Sequence, residues 1–536
     1  VAPNIRPDGG PDGGRLVTAT LAGRATERAS TFADRATKTV RQRMDRVREA
    51  PGITILTLCC LAAYLIHSLY AQYTYRTSAF DLGIFDQAVR AYAHFQAPMV
   101  PLKGPGFNVF GDHFHPIIAI IAPLYWIWDS PNVLLIVQAV LVAASVPVVY
   151  RFTRRRTGPR MSLIIAGAYG FGWAIQSMID FDFHEIAFAT PILVLAIDAL
   201  DRRDDRKLLI WAVLLLLVRE DMGILVALLA GLRLLQRRRP HWRALALGGG
   251  AIVAYVVTTS LIIPHFARGH GFAYGGQFDA LGKNLPDAAV NIVAHPWHAI
   301  KLFFTPAIKS ETLAYLTLPF ALLFLRSPYT ILALPLFAER FFNSRSNLWQ
   351  PHFHYNALPW VVLTLAMVDG AGRLGLFRPT MRARRARIAL AAWLVAVPLL
   401  LPFSTWRTHP YAWTQMRNTK GIQNQTALHA ARAVVAWLPR NVCIEADNKL
   451  VPHLTNRDYV TLPDTQKWTA DFIALDLAVP DIGGNPPAPT PYAVLTEAHA
   501  HGYVQVFVQA KFVVLQSPNY TGPSAQCHPL SKGKAG

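Results

Sequence analysis

Carboxylates, histidines and arginines crowd into a few short stretches of an otherwise apolar sequence. Phe80-Asp81-Leu82-Gly83-Ile84-Phe85-Asp86-Gln87 is followed by Gly111-Asp112-His113-Phe114-His115-Pro116, then by Asp180-Phe181-Asp182-Phe183-His184-Glu185, Arg219-Glu220-Asp221, Glu339-Arg340, and His352 with His354. A carboxylate held beside a hydroxyl serves as a general base, and imidazoles with further acids around it can move protons or hold a divalent metal ion. Asp81 and Asp86 are the candidate catalytic carboxylates. Asp112, His113, His115, Asp182, His184, Glu185, Arg219, Glu220, Asp221, Glu339 and Arg340 are candidates for substrate binding, and His113 with His115 suits metal ligation if that segment is extended. Plainer roles compete with these. Asp81 can cap a helix running to Ala93, Glu185 can sit at a helix N-terminus where the dipole favours a carboxylate, Glu220-Asp221 can mark a solvated tip, and Glu339 can pair with Arg340.

Positioning these groups falls to a membrane architecture. Of 536 residues 52% are apolar and only 16% charged, a balance that excludes an ordinary soluble globule. Apolar runs near the roughly 20 residues that cross a bilayer recur, as at Ile53 to Tyr70, Val133 to Phe152 and Leu245 to Ile263. A net charge of +20 suggests nucleic acid in a soluble protein, but the basic residues fall in patches between apolar runs, so topology accounts for them and no nucleic-acid partner is expected. The segments Arg41 to Arg48, Arg151 to Arg160, Arg202 to Lys207, Arg237 to Arg243, Arg326, and Arg373 to Arg387 are assigned to the cytoplasm. All the candidate site residues then face outward. Ile117 to Trp128 is too short to span and suits an interfacial helix, which leaves about eleven spanning helices.

The expected organisation is a basic cytoplasmic arm over 1–50, a transmembrane domain over 51–404 with a long first external loop at 71–130, and an extracytoplasmic α/β domain over 405–536. The first apolar run follows a long polar segment, so it is expected to stay as a start-transfer anchor. In the tail, Thr426 to Leu438 predicts a helix, and Val442 to Glu445, Ala493 to Thr496, Val504 to Val508 and Phe512 to Leu515 predict strands. Cys59 and Cys60 lie inside the first apolar run, which leaves Cys443 and Cys527 as the pair able to bridge. Abundant Arg, Ala and Pro with little Lys points to a bacterial plasma membrane.

The phrases F-D-L-G-I-F-D-Q, G-D-H-F, F-H-E and R-E-D-M resemble a bacterial family of predicted membrane proteins of unknown function over about residues 53 to 370. The placing of Asp81 and Asp86 after the first spanning helix, and the His115-Pro116 step, also resemble the C-type membrane glycosyltransferases, which use polyprenyl-phosphate-linked sugars. That resemblance implies an all-α polytopic fold with a small external α/β domain and transfer of a sugar to a cell-envelope glycan or protein. It implies a polyprenyl-phosphate sugar donor and membrane lipids as partners. Asp81 or Asp86 would be the base, and Arg219, Arg340 and His115 would face the leaving phosphate. A transporter or lipid flippase, and a non-catalytic envelope scaffold, are the competing expectations.

Overall fold

The computed structural model describes residues 51–236, 242–267, 272–282, 285–400, 422, 424–463, 469–483 and 488–523. The basic arm at 1–50, the basic run Arg237 to Arg239, the junction around 404–405 and Cys527 lie outside the described residues.

Helix α1 (Pro51–Tyr73) leads into the long first loop, which holds α2 (Ile84–Ala93) and a short apolar helix at Pro116–Tyr125. Then follow α3 (Asn132–Arg154), α4 (Pro159–Asp180, interrupted at Phe171-Gly172), α5 (Ile186–Asp201), α6 (Asp205–Leu216), α7 (Met222–Leu235) and α8 (Trp242–Phe266). A second long loop carries α9 (Leu285–Ala294) and α10 (Pro296–Phe304), and α11 (Ala307–Thr317), α12 (Ala333–Phe341), α13 (Ala357–Arg373) and α14 (Met381–Leu400) complete the helical part.

Helices α5 and α13 are apolar on every side and buried along nearly their whole length, each packed on the other. By contrast Leu58 and Ile66 on α1, and Leu245, Val253 and Val256 on α8, face outward as lipid-facing residues do. The interruption in α4 has a packing cause: a Cβ on Gly172 would lie 2.4 Å from the Trp360 ring, so only glycine lets α13 approach here. Trp360 Nε1 donates to the Tyr169 carbonyl at 3.2 Å, supplying a partner to backbone at the break.

Four helices, α1, α3, α4 and α8, are long and apolar enough to cross a membrane unaided among the described residues. The expected count of about eleven is not confirmed. Helices α5, α6 and α7 run 16, 12 and 14 residues, short of the roughly 20 that a bilayer asks for. Averaged hydropathy runs through turns that the backbone does not.

The ends of the helices differ chemically. At one end, Arg155 and Arg156 beyond α3 meet Asp198 and Asp201 of α5, and Asp369 of α13 is bonded by Arg373 at 2.7 Å and Ser327 at 2.8 Å. At the other end lie the candidate site residues.

The tail folds as an α/β unit. Strands β1 (Cys443–Ala446), β2 (Tyr459–Thr461), β3 (Phe472–Asp476), β4 (Val504–Gln509) and β5 (Phe512–Gln516) form one sheet in the order β2-β1-β3-β5-β4. The β2-β1-β3 part is parallel and the β3-β5-β4 part antiparallel. Helix α15 (Gln425–Trp437) sets Trp437 against Phe472, while α16 (Pro491–Ala500) sets Val494 and Ala498 into a cluster with Ile473 and Leu475. Alternation along β3 thus places the two helices on opposite faces. Ala493 to Thr496, expected as a strand, is helical: Thr490 Oγ1 caps Ala493 N–H, Pro491 takes the first helical turn, and Ala and Leu favour helix. Strands β2 and β3 were not foreseen. Cys443 is disulfide-bonded, and Cys527, the partner expected for it, is not among the described residues.

Candidate active site

Asp81 owes its position to an unusual backbone. The turn Ala79–Gly83 leaves helical geometry at Phe80 and at Asp81, whose φ of 74° and ψ of −80° match the rare γ-turn that L-residues seldom adopt. Gly83 N-caps α2 without a side-chain bond, so Asp81 does not act as a helix cap. Ser78, just before, gives both its N–H (2.9 Å) and its hydroxyl (3.1 Å) to Asp182 Oδ2.

Asp81 opens onto a cavity of about 1120 Å³. Asp112, His113, His115, His184, Glu185, Arg219, Glu220, Asp221 and Glu339 line the same cavity, so ten of the thirteen candidate site residues meet in one place. Its other walls are apolar, built by Phe278, Leu281, Ile292, Leu336 and Phe342.

The polar groups form two linked sets. In the first, His113 Nδ1 lies 2.7 Å from Glu220 Oε1, whose other oxygen accepts the Phe114 N–H at 3.0 Å. The Tyr274 ring stacks on His113 at 4.2 Å, its hydroxyl donates to Asp112 at 2.6 Å, and Lys103 Nζ pairs with Asp112 at 2.7 Å. In the second, Arg219 makes two 2.6 Å bonds to Asp221 and approaches Glu339 at 3.5 Å and Glu185 at 3.8 Å. His184 contacts Glu185 at 2.7 Å and stacks on His354 at 3.7 Å.

These surroundings separate the protonation states. Burial, reinforced by Glu185 and Asp112 and opposed by His184 and Lys103, pushes the Asp81 carboxyl up to about 6. Burial pushes Asp182 further, to about 8, against the Ser78 bonds that favour its charge. For Glu185, burial is outweighed by His184, His115 and Arg219, which hold it at about 2. For His113, burial is likewise outweighed, here by Glu220, and the imidazole rises to about 9. At neutral pH the cavity therefore holds a carboxylate of raised basicity at Asp81 and, elsewhere in its lining, a charged His113, groups suited to proton abstraction and to anion binding.

Three candidates lie elsewhere. Asp86, expected as an alternative base, is fully buried away from the cavity: its oxygens take Arg90 Nη2 at 2.9 and 3.1 Å and the Tyr125 hydroxyl at 2.7 Å. Lying five residues after Asp81, it sits in the first turn of a regular helix whose buried face turns it inward. Asp182 braces Ser78 from behind the cavity wall. Arg340 is not among the residues lining the cavity, and its Nε donates to the Leu348 carbonyl at 2.9 Å. The expected pairing of Glu339 with Arg340 is replaced by the approach of Glu339 to Arg219. His113 and His115 do not assemble a metal cage, since among the described residues no group of three or more His, Cys, Asp or Glu is arranged to hold an ion. Lys103, Tyr274, Arg345, Asn448 and Gly483 also line the cavity and were not foreseen. Only Lys103, a cation set between Pro101 and Gly104 in the first loop, carried a signal in the sequence.

A mostly helical membrane protein, with a carboxylate- and imidazole-rich cavity roofed by loops and a small α/β domain, is the class these observations define. The chain belongs to the DUF2079 family of predicted membrane proteins, whose pattern covers residues 71–489. No curated protein matches the sequence. Among solved structures it is similar to ArnT from Cupriavidus metallidurans bound to undecaprenyl phosphate, at 13% identity and TM-score 0.46 over 89% of this chain and 100% of that one. The apo form of the same protein gives 14% identity and TM-score 0.44 over 87% and 98%.

Proposed function

We propose that this chain is an integral membrane glycosyltransferase that moves a sugar from a polyprenyl-phosphate donor to a cell-envelope acceptor. The observation that carries the reading is Asp81: a carboxyl raised to about 6, on a constrained turn, facing a cavity that is polar on one side and apolar on the other. The acceptor hydroxyl gives its proton to Asp81 while its oxygen attacks the anomeric carbon. The bond from that carbon to the phosphate oxygen breaks, and the phosphate keeps the electron pair. Lys103, Arg345 and the charged His113 supply the positive field for the departing anion, and Arg219 fixes the carboxylates around it. The wall of Leu281, Ile292, Leu336 and Phe342 suits the prenyl chain. In this reading the cavity end faces the exterior of a bacterial plasma membrane and the basic end the cytoplasm, which follows the positive-inside rule. A transporter needs charged groups along a crossing path, whereas here ion pairs tie α3, α5 and α13 together at the opposite end.

Transfer of labelled sugar from a panel of polyprenyl-phosphate sugars in proteoliposomes tests this. Wild type is expected to transfer label, and Asp81→Asn, folded to the same degree, is expected to lose at least about a hundredfold in rate. Equal turnover by both proteins refutes the mechanism.

A further inference from the structure

The small α/β domain touches the Asp81 turn directly. The Ala79 N–H, two residues before Asp81, is shared at 2.8 Å by the side-chain Oδ1 and the backbone oxygen of Asn448. Asn448 lies just past the carboxyl end of β1, where open α/β sheets present their contacting loops. It is itself held: its N–H donates to the Ile482 carbonyl at 3.1 Å, and Gly483 backs against its side chain so closely that a Cβ there would stand 2.4 Å from the Asn448 Cβ.

The contact belongs to a wider interface. Tyr75 stacks on His453 at 3.7 Å, Gln87 Nε2 donates to the Val460 carbonyl at 2.8 Å, and Gly83 leaves room for Leu102 and Val451. Asp182 grips Ser78 from the helical side while Asn448 grips Ala79 from the domain side. A residue with positive φ reverts to common geometry unless its surroundings hold it, and these two grips flank Asp81 on its N-terminal side. Asn448 and Gly483 also reach the cavity lining.

We propose that Asn448 is a positioning residue for Asp81: by holding the Ala79 N–H it sets the turn, so that the helical part works only with the α/β domain docked. The inference rests on the transferase reading for its kinetic consequences and not for its structural one.

Three full-length variants in nanodiscs, Asn448→Ala, Asn448→Asp and Gly483→Ala, test it by hydrogen exchange and by transfer kinetics. Loss of one well-placed hydrogen bond predicts that amides over residues 78–83 of Asn448→Ala exchange about tenfold faster, with α5 unchanged. It also predicts that kcat falls by about the same factor while KM for the donor lipid stays within about twofold. Gly483→Ala, which displaces Asn448 and with it the backbone acceptor, reproduces both effects more strongly. Asn448→Asp keeps an acceptor and restores most of kcat, while its added negative charge moves the acid limb of the rate profile to higher pH. Unchanged exchange over 78–83 in both Asn448→Ala and Gly483→Ala overturns the proposal, as does faster exchange with unaltered kcat. Faster exchange in a protein that transfers no sugar from any donor supports the positioning role and counts against the transferase reading alone.

Discussion

Replacing Asp86 separates a structural carboxylate from a catalytic one. In Asp86→Asn the fully buried carboxylate that holds Arg90 at 2.9 and 3.1 Å becomes neutral, while the new side chain still accepts the Tyr125 hydroxyl. Removing one partner of a buried ion pair costs about 3–5 kcal/mol, because the other charge stays behind without compensation. Here two features lower that figure. Arg90 keeps Asp129 as a second carboxylate partner, and its side chain is 16% exposed, so water solvates part of it. A loss of about 2–3 kcal/mol is the outcome expected. It is read as a lowered unfolding midpoint in detergent, alongside transfer per folded molecule in proteoliposomes, which should stay near wild type. An Asp86→Asn protein that melts like wild type yet transfers no sugar refutes the assignment and returns Asp86 to the catalytic set.

The remaining predictions concern pH and packing. With Asp81 raised to about 6, activity should fall as the pH drops through that value, and Lys103→Met, which removes a positive charge that favours the carboxylate, should move this limb to higher pH in a rate profile. His113 titrates near 9 in the folded protein against about 6.5 for a free histidine, so its bond to Glu220 stabilises fully below about 6.5 and is lost as the pH rises through 9. Thermal unfolding from pH 6 to 9.5 should therefore weaken wild type more than His113→Gln. Gly172→Ala forces a methyl group against the Trp360 ring and should lower stability by about 1–3 kcal/mol or more, with no direct effect on residues of the cavity; an unchanged melting profile rules out the packing argument.

The clustering of site residues was legible because each lies in a short polar stretch between apolar runs, and polar groups at helix ends have few places to go except a shared hydrated space. Asp81 and Asp86 could not be told apart from spacing. What separates them is the positive φ at Asp81, and backbone torsion leaves no trace in residue type when the strained residue is not glycine. Glu339 and Arg340 could not be separated for a related reason: adjacent residues on a helix point in different directions, so Glu339 lines the cavity while Arg340 bonds the Leu348 carbonyl outside that lining. The tail's helix, expected over Thr426 to Leu438, runs over Gln425–Trp437. Strand β3, five buried residues long, has no alternation to reveal it, as expected for a central strand covered on both faces. The break at Phe171-Gly172 could not be read locally, because it is set by a tryptophan nearly two hundred residues away.

The charge balance of the cavity bears on what happens after the bond is broken. Asp81, Asp112, Glu185, Glu220, Asp221 and Glu339 line it against Lys103, Arg219, Arg345 and the charged His113. In the proposed reaction the donor enters as a phosphodiester carrying one negative charge, and its remnant departs as a monoester carrying closer to two. In that step Asp81 takes the acceptor's proton, so the lining loses one negative charge as the phosphate gains one, and the total charge of the chamber with its contents does not change. In the proposed cycle Asp81 therefore serves as a store for one charge: the spent lipid leaves with the negative charge it gained, and Asp81 must hand its proton to water before another acceptor can be activated.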